Sequence, residues 1–313
     1  MKDGPHSMWP SFFMIELPAV NYENRNLFIL LDTPHIMRAY LQMIRPSNSV
    51  MAGFAVFLSG MIAAGRQIPP VDVFLAVLGT IFASSGGMVM NDYFDYDIDC
   101  INRPDRPLPR GAVTRKQAFI FGIGLLFLAY VFIGFTNWLC IAIGYPAIVL
   151  IVVYSWKLKR MPFIGNFTVA FLTSLTLVYG GAAAGNIVLV TMLAISAFFA
   201  NLSREVAKDI EDIKGDKTLG SKTLPILWGV KKSALMSAVF LVIGVAATFL
   251  PYFAGIFGAG YVVLVVLVDM VMVYVVWLLV TGRMDKIRII QKLQKAGMYA
   301  VLIIFFISKM SNL

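Results

Sequence analysis

Cysteine and histidine are nearly absent from this chain of 313 residues, with two of each. Cys100 and Cys140 lack metal-ligand spacing, and His6 and His35 form no paired ligand pattern. Thiolate and imidazole metal centres are therefore excluded, and no disulfide is expected. Charge is also scarce: 14% of residues are Asp, Glu, Lys or Arg, against 59% hydrophobic residues and a mean hydropathy of +0.80. A polar stretch large enough to form a soluble domain is missing, as is a signal-peptide pattern in residues 1–34.

What the chain has is apolar runs close to 20 residues, the length that crosses a bilayer as a helix. Nine such runs fall near 47–65, 71–90, 117–135, 138–156, 166–184, 188–205, 233–250, 259–281 and 294–311. The composition predicts an all-α polytopic membrane protein, with an N-terminal extension over 1–34 and one transmembrane domain over 35–313. Residues 35–45 (HIMRAYLQMIR) read as an interfacial amphipathic helix ahead of Pro46. Of 26 basic residues, 24 fall in segments on one side, leaving Arg66 and Lys309 on the other. By the positive-inside rule the N-terminus and the basic loops are cytoplasmic and the C-terminus external, in a cell-membrane protein. The formal net charge of +9 is thus topological and gives no reason to invoke nucleic acid. No obligate protein partner is expected; the surroundings are bilayer lipid.

Acidic residues follow a different logic. Ten of 17 cluster at two loci, 92–105 and 205–216, which the positive-inside rule does not explain. Asp92, Asp95 and Asp99 in NDYFDYDID, and Asp209, Asp212 and Asp216 in KDIEDIKGD, repeat at offsets of zero, three and seven. At about 100° per residue, those offsets put three carboxylates within roughly 60° of one helix face. The two ladders are separated by a constant 117 positions, and the register continues from Val113 to Val230 and from Arg115 to Lys232. An internal repeat of two ladder helices, both opening on the same side around a central cavity, is the economical explanation.

Six carboxylates brought together repel unless protonated or neutralised. Hard divalent cations suit such oxygens, and Mg²⁺ commonly completes its octahedron with substrate phosphate. Two Mg²⁺ ions between the rows would make a diphosphate site. Asp97 and Glu211 lie off the ladder faces and are not expected as ligands. A single ladder is equally well read as solvated charge capping a span; two of equal spacing on one side are not.

The same motifs resemble the UbiA-type intramembrane prenyltransferases: NDYFDYDID is similar to their NDxxDxxxD motif and KDIEDIKGD to their second aspartate motif. The likeness covers residues 40–311 and includes IRPSN (44–48), RPDRPLPRG (103–111), YSWKLKR (154–160), IGNF (164–167) and KTLP (222–225). KDIEDIKGD and FIGNFTVAFLTSLTLVYGG look most like the archaeal branch that makes digeranylgeranylglyceryl phosphate. The resemblance implies Mg²⁺ held by Asp92, Asp95, Asp99, Asp209, Asp212 and Asp216, gripping the diphosphate of a polyprenyl donor. It implies substrate-binding roles for Asn48, Asn91, Lys159, Arg160, Arg204 and Lys208, although topology alone accounts for any single Lys or Arg. The implied reaction carries a geranylgeranyl group to the hydroxyl of geranylgeranylglyceryl phosphate in ether-lipid synthesis. An aromatic acceptor, as in quinone pathways, is the alternative within the family.

A reading of another class, a cation-coupled transporter, fits less well, because transporter sites usually sit at the bilayer midplane and these ladders end spans at its boundary. Asp269, inside the eighth run, reads as a buried hydrogen-bonded or protonated structural group, and Tyr93, Tyr96 and Tyr154 as interfacial anchors.

Overall fold

A computed structural model describes residues 33–218 and 222–311 of the chain. Nearly all of the expected 1–34 extension, His6 included, lies outside the described residues. Among those described, nine helices are long and apolar enough to cross a membrane, and the protein is a multi-pass membrane protein. The order is α1 (Thr33–Ile44), α2 (Pro46–Ala64), α3 (Val71–Phe94), α4 (Tyr96–Asn102), α5 (Arg115–Gly134), α6 (Trp138–Trp156) and α7 (Ile164–Ala183). There follow α8 (Val188–Thr218), α9 (Leu224–Trp228), α10 (Val230–Thr248), α11 (Leu250–Phe253), α12 (Ala259–Val280) and α13 (Ile287–Ser311).

Local sequence explains several helix starts. Pro46 sits in the first turn of α2, where its missing N–H costs nothing. Thr114 and Gln117 form a reciprocal capping box at α5. The Asn137 side chain accepts from the N–H groups of Leu139 and Cys140 at α6. The amphipathic segment expected over 35–45 is α1, which buries Ala39 and Met43 against Val89, Leu108, Val113 and Ala118 while Met37 and Leu41 stay exposed.

The repeat is visible in the packing. Each ladder helix lies against the long helix that follows it, α3 on α5 and α8 on α10, while α2 and α7 precede them and pack on them and on each other. α6 fills the gap beside α3 and α7; α13 does so beside α2 and α8, with α12 outside it. The helices enclose a cavity of about 1630 Å³. The two ladders differ in backbone, and here the structure departs from expectation. α8 runs unbroken for 31 residues, past the apolar run near 188–205, and carries the whole second ladder, as its spacing implied. The first ladder crosses a break at Asp95 (φ −90°, ψ 4°) between α3 and α4. Hydrogen bonds from Asp95 N–H to Asn91 (3.0 Å) and from Asp99 N–H to Asp95 (2.8 Å) bridge that break, so the carboxylates keep a common face.

At the far end of the bundle the Arg66 guanidinium donates to the carbonyl of Met310 (2.9 and 3.1 Å), tying α2 to the end of α13. Between the two ends, α2 and α7 approach so closely that a Cβ on Gly180 would lie 2.0 Å from Ser59 Oγ and 2.2 Å from the Val56 carbonyl. Because the obstacle includes backbone, Gly180→Ala is expected to destabilise the fold by about 1–3 kcal/mol, the usual range for overpacking. Gly124 has open space around it, and Gly124→Ala should leave stability unchanged or slightly raised. Thermal unfolding of both variants in detergent checks this.

Candidate active site at the cavity mouth

At the cavity mouth the ladders meet the basic loops. Asp92, Asp95 and Asp99 are all buried, and each is held by a cation supplied from another part of the chain. Asp92 accepts from Arg45 (2.6 Å) and Arg106 (3.2 Å), and Asp99 accepts from the same Arg106 nitrogen (2.6 Å). Asp95 pairs with Lys159, which also donates to Asn91 Oδ1 at 3.0 Å. The Arg160 guanidinium reaches the Phe94 carbonyl at 3.4 Å. Removing one of these cations would leave a buried carboxylate short of a partner, so the network fixes the end of α3 and α4.

The second ladder is treated differently. Asp209 accepts from the neutral amide of Asn166 (2.8 Å), Asp212 is exposed and Asp216 half-buried. No salt bridge to these three is found among the described residues. Burial, and secondarily the Asp212 carboxylate, hold the Asp216 carboxyl above the usual range, opposed by nearby Lys208. A cation between Asp212 and Asp216 would relieve that repulsion.

Asn48, Asn91, Lys159, Arg160, Arg204 and Lys208 line the cavity, as do Asp95, Asp99, Asp209, Asp212 and Asp216. Asp92 does not; it stands behind the wall, screened by Arg45 and Arg106. Arg204 is bonded to Asn201 (3.2 Å) and Glu205 (2.5 Å), whereas Lys208 is exposed. Glu211 reaches the cavity edge but is taken up by Arg288 (2.9 Å) and Gln291 (2.8 Å). Asp97 is exposed and outside the lining. Tyr154, expected as an interfacial anchor, lines the cavity, because α6 turns that face towards α7. Tyr93 and Tyr96 instead carry the Arg115 guanidinium at 5.4 and 4.8 Å from their ring centres. Asp269 is buried midway along α12, accepting from Thr248 at 2.9 Å, in keeping with a structural role.

Arg45, Arg106 and Asn166 are contributors that the aspartate spacing did not single out. Arg45 sits before Pro46 in the left-handed region (φ 44°), a conformation that costs a non-glycine residue about 1–2 kcal/mol. Its ion pair with Asp92 offsets that strain. Phe163 (φ 62°) occupies the equivalent start of α7, and Asn48 and Asn166 each follow three residues later. The sequence signal was therefore present, as a second repeated pair at an offset of 118 rather than 117.

Among the described residues no three His, Cys, Asp or Glu side chains are already gathered as a metal cage. The first ladder is neutralised by the protein's own cations and the second is spread along α8. The donor set is nonetheless all hard oxygen, which fits Mg²⁺ sharing its shell with phosphate and water rather than a closed protein site. The side chains of Arg45, Arg106 and Lys159 are 32%, 20% and 36% exposed, enough for an anion at the mouth to reach them.

Comparison with known proteins identifies the family. Residues 52–294 match the model of the UbiA prenyltransferase family. The digeranylgeranylglyceryl phosphate synthase of Pyrococcus horikoshii is 45% identical over 230 residues, 73% of this chain and 82% of that protein. That of Thermococcus kodakarensis is 42% identical over 274 residues, 87% and 98% of the two chains. A solved structure described under digeranylgeranylglyceryl phosphate synthase in membranes superposes with a TM-score of 0.80 at 31% identity, covering 88% of this chain and 99% of that one. A UbiA homolog from Archaeoglobus fulgidus, solved bound to DMAPP and Mg²⁺, shares the fold at TM-score 0.65 and 19% identity, covering 84% and 98%. With nine spanning helices, paired aspartate ladders and a family match over most of its length, this chain belongs to the UbiA prenyltransferase family.

Proposed function

We propose that this protein transfers a geranylgeranyl group from its diphosphate to the free hydroxyl of geranylgeranylglyceryl phosphate, in membrane ether-lipid synthesis. The observation that carries the reading is the union of two carboxylate ladders and a basic rim at the mouth of a large apolar cavity, in a chain most of whose length is similar to synthases of that name. In this reading the cytoplasmic face carries the N-terminus and the site, and the C-terminus is external.

Asp95 and Asp99 on one side and Asp209, Asp212 and Asp216 on the other would hold Mg²⁺, two ions by this reading, with Asp92 positioning the first row through Arg45 and Arg106. The bound metal supplies electrostatic neutralisation of the donor diphosphate. Lys159, Arg160, Arg204 and Lys208 add positive charge where the departing oxygen gains negative charge, and Asn48 and Asn91 orient the group. As the allylic C–O bond breaks, diphosphate leaves with the electron pair. The acceptor hydroxyl oxygen then forms the new C–O bond to that carbon and releases its proton. The apolar wall keeps water from the cationic carbon, and the Tyr154 ring is part of that wall.

Two measurements test this. Purified protein with Mg²⁺ and geranylgeranyl diphosphate should give a diether phosphate from geranylgeranylglyceryl phosphate, read by mass spectrometry; product from 4-hydroxybenzoate alone would sink the acceptor assignment. Asp95→Ala and Asp212→Ala should each lower kcat/KM by ~100-fold or more, as expected for lost transition-state charge stabilisation. Asp97→Asn should stay within about threefold, since its side chain is outside the lining.

A further inference from the structure

Between the second ladder and the apolar part of the cavity, α8 and α13 carry a further group of polar side chains. The α8 lining runs from Asp209 through Glu205, Asn201 and Ala197 to Leu193 at intervals of four. On α13 it runs from Lys295 through Tyr299 to Leu302. A buried hydrogen bond from Gln294 Nε2 to Ser203 Oγ (2.8 Å) sets the register of the two helices, and Ser203 is bonded in turn to Ser237 of α10 (2.9 Å). The next residue on each helix, Lys295 and Arg204, lines the cavity. Both fall where the apolar runs 188–205 and 294–311 meet the polar end of the bundle.

This group is rich in donors and short of acceptors. Asn201 is 2% exposed, and its side-chain oxygen accepts from Arg204 Nε at 3.2 Å. A guanidinium can only donate, so that bond fixes which way the Asn201 amide points. Its N–H₂ group is then left buried without an acceptor among the described residues, a loss that a polar ligand would make good. The Lys295 ammonium stands 6.0 Å from the centre of the Tyr299 ring, and both side chains are exposed. Lys295 makes no salt bridge among the described residues. The acid beside it on the wall, Glu205, is taken up by Arg204 at 2.5 Å, which leaves further guanidinium N–H groups free. Met298, Leu302, Ala197 and Leu193 continue the same two faces with hydrocarbon. Such a wall suits an anion joined to an apolar chain.

We propose that Lys295, Tyr299 and Asn201, with Arg204 at their edge, seat the phosphate of the lipid acceptor, apart from the diphosphate seat at the ladders. The assignment rests on the proposed function, which supplies an acceptor bearing one phosphate and one hydrocarbon chain. Spacing supports it. Arg204 and Asn201 precede Asp209 by five and eight residues, about 8 and 12 Å along α8. In the bond-forming arrangement, seven links separate the nearer donor phosphorus from the acceptor phosphorus, counting the forming C–O bond, and they span roughly 9 Å when extended. An acceptor held by its phosphate at Lys295 can therefore present its hydroxyl to the donor carbon while the diphosphate stays at the aspartates. Lys295 and Tyr299 bind and orient; they take no proton and touch no reacting atom.

The test measures kcat and KM separately for geranylgeranyl diphosphate and for two acceptors, geranylgeranylglyceryl phosphate and its phosphate-free alcohol, in the wild-type chain and in Lys295→Met, Lys295→Arg and Tyr299→Phe. All three changes are at exposed side chains and leave the helix packing in place. Lys295→Met should raise KM for the phosphate acceptor about tenfold, the worth of one charge-assisted hydrogen bond. It should leave KM for the donor within about twofold and leave turnover of the alcohol unchanged, so the preference for the phosphate acceptor falls. Lys295→Arg should restore most of that preference, and Tyr299→Phe should shift it less in the same direction as Lys295→Met. An unchanged acceptor KM in Lys295→Met, an equal loss on both acceptors, or a rise in donor KM instead would overturn the seat while leaving the proposed reaction intact. A wild-type chain that prenylates 4-hydroxybenzoate and not the phosphate acceptor would overturn both.

Discussion

Everything at the working end of this protein follows from the difficulty of keeping carboxylates charged beside a membrane interior. An unpaired buried carboxylate is too costly to retain, so each needs a cation or a proton. The first ladder meets this demand with protein groups: Arg45, Arg106 and Lys159 come from three separate loops and converge on Asp92, Asp99 and Asp95. The second ladder has an amide on Asp209 and no salt bridge among the described residues. One row is thus prepaid in arginine and lysine, and the other is left to be neutralised from outside. That asymmetry gives a diphosphate a natural seat between them, cationic side chains on one side and metal-binding oxygens on the other.

The helical frame serves this arrangement. Two copies of the same unit, α2 with α3 and α5, and α7 with α8 and α10, place a ladder at the same end of each half. α2 and α7 pack closely through Gly60 and Gly180, below the mouth at which the ladders stand. Charge at one end and hydrocarbon along the depth is what a substrate with an anionic head and a long apolar tail requires.

Much of this was legible in the chain itself. The nine spans, the ladder spacing and the exclusion of Asp97 from the cavity wall are consequences of helix periodicity, which depends only on local sequence. Other features needed three dimensions. Asp92 shares the ladder face yet is hidden by Arg45 and Arg106, whose reach depends on a left-handed residue and on the folded 103–113 loop. Tyr154 looked like an anchor because periodicity cannot say which face of α6 turns inward. Asn166 was concealed by a one-residue change in repeat offset. The break at Asp95 was not legible, because offsets of zero, three and seven fit one unbroken helix equally well.

The central claim is that both ladders form one site with the donor. Mn²⁺ binding followed by electron paramagnetic resonance, in the presence and absence of an unreactive thiolodiphosphate analogue of the donor, tests it most directly. The account predicts donor-dependent uptake of about two coupled ions in the unaltered protein. It also predicts loss of both ions when either Asp95 or Asp212 is replaced by Ala. Independent binding, with each single variant retaining one unaffected ion, would contradict it.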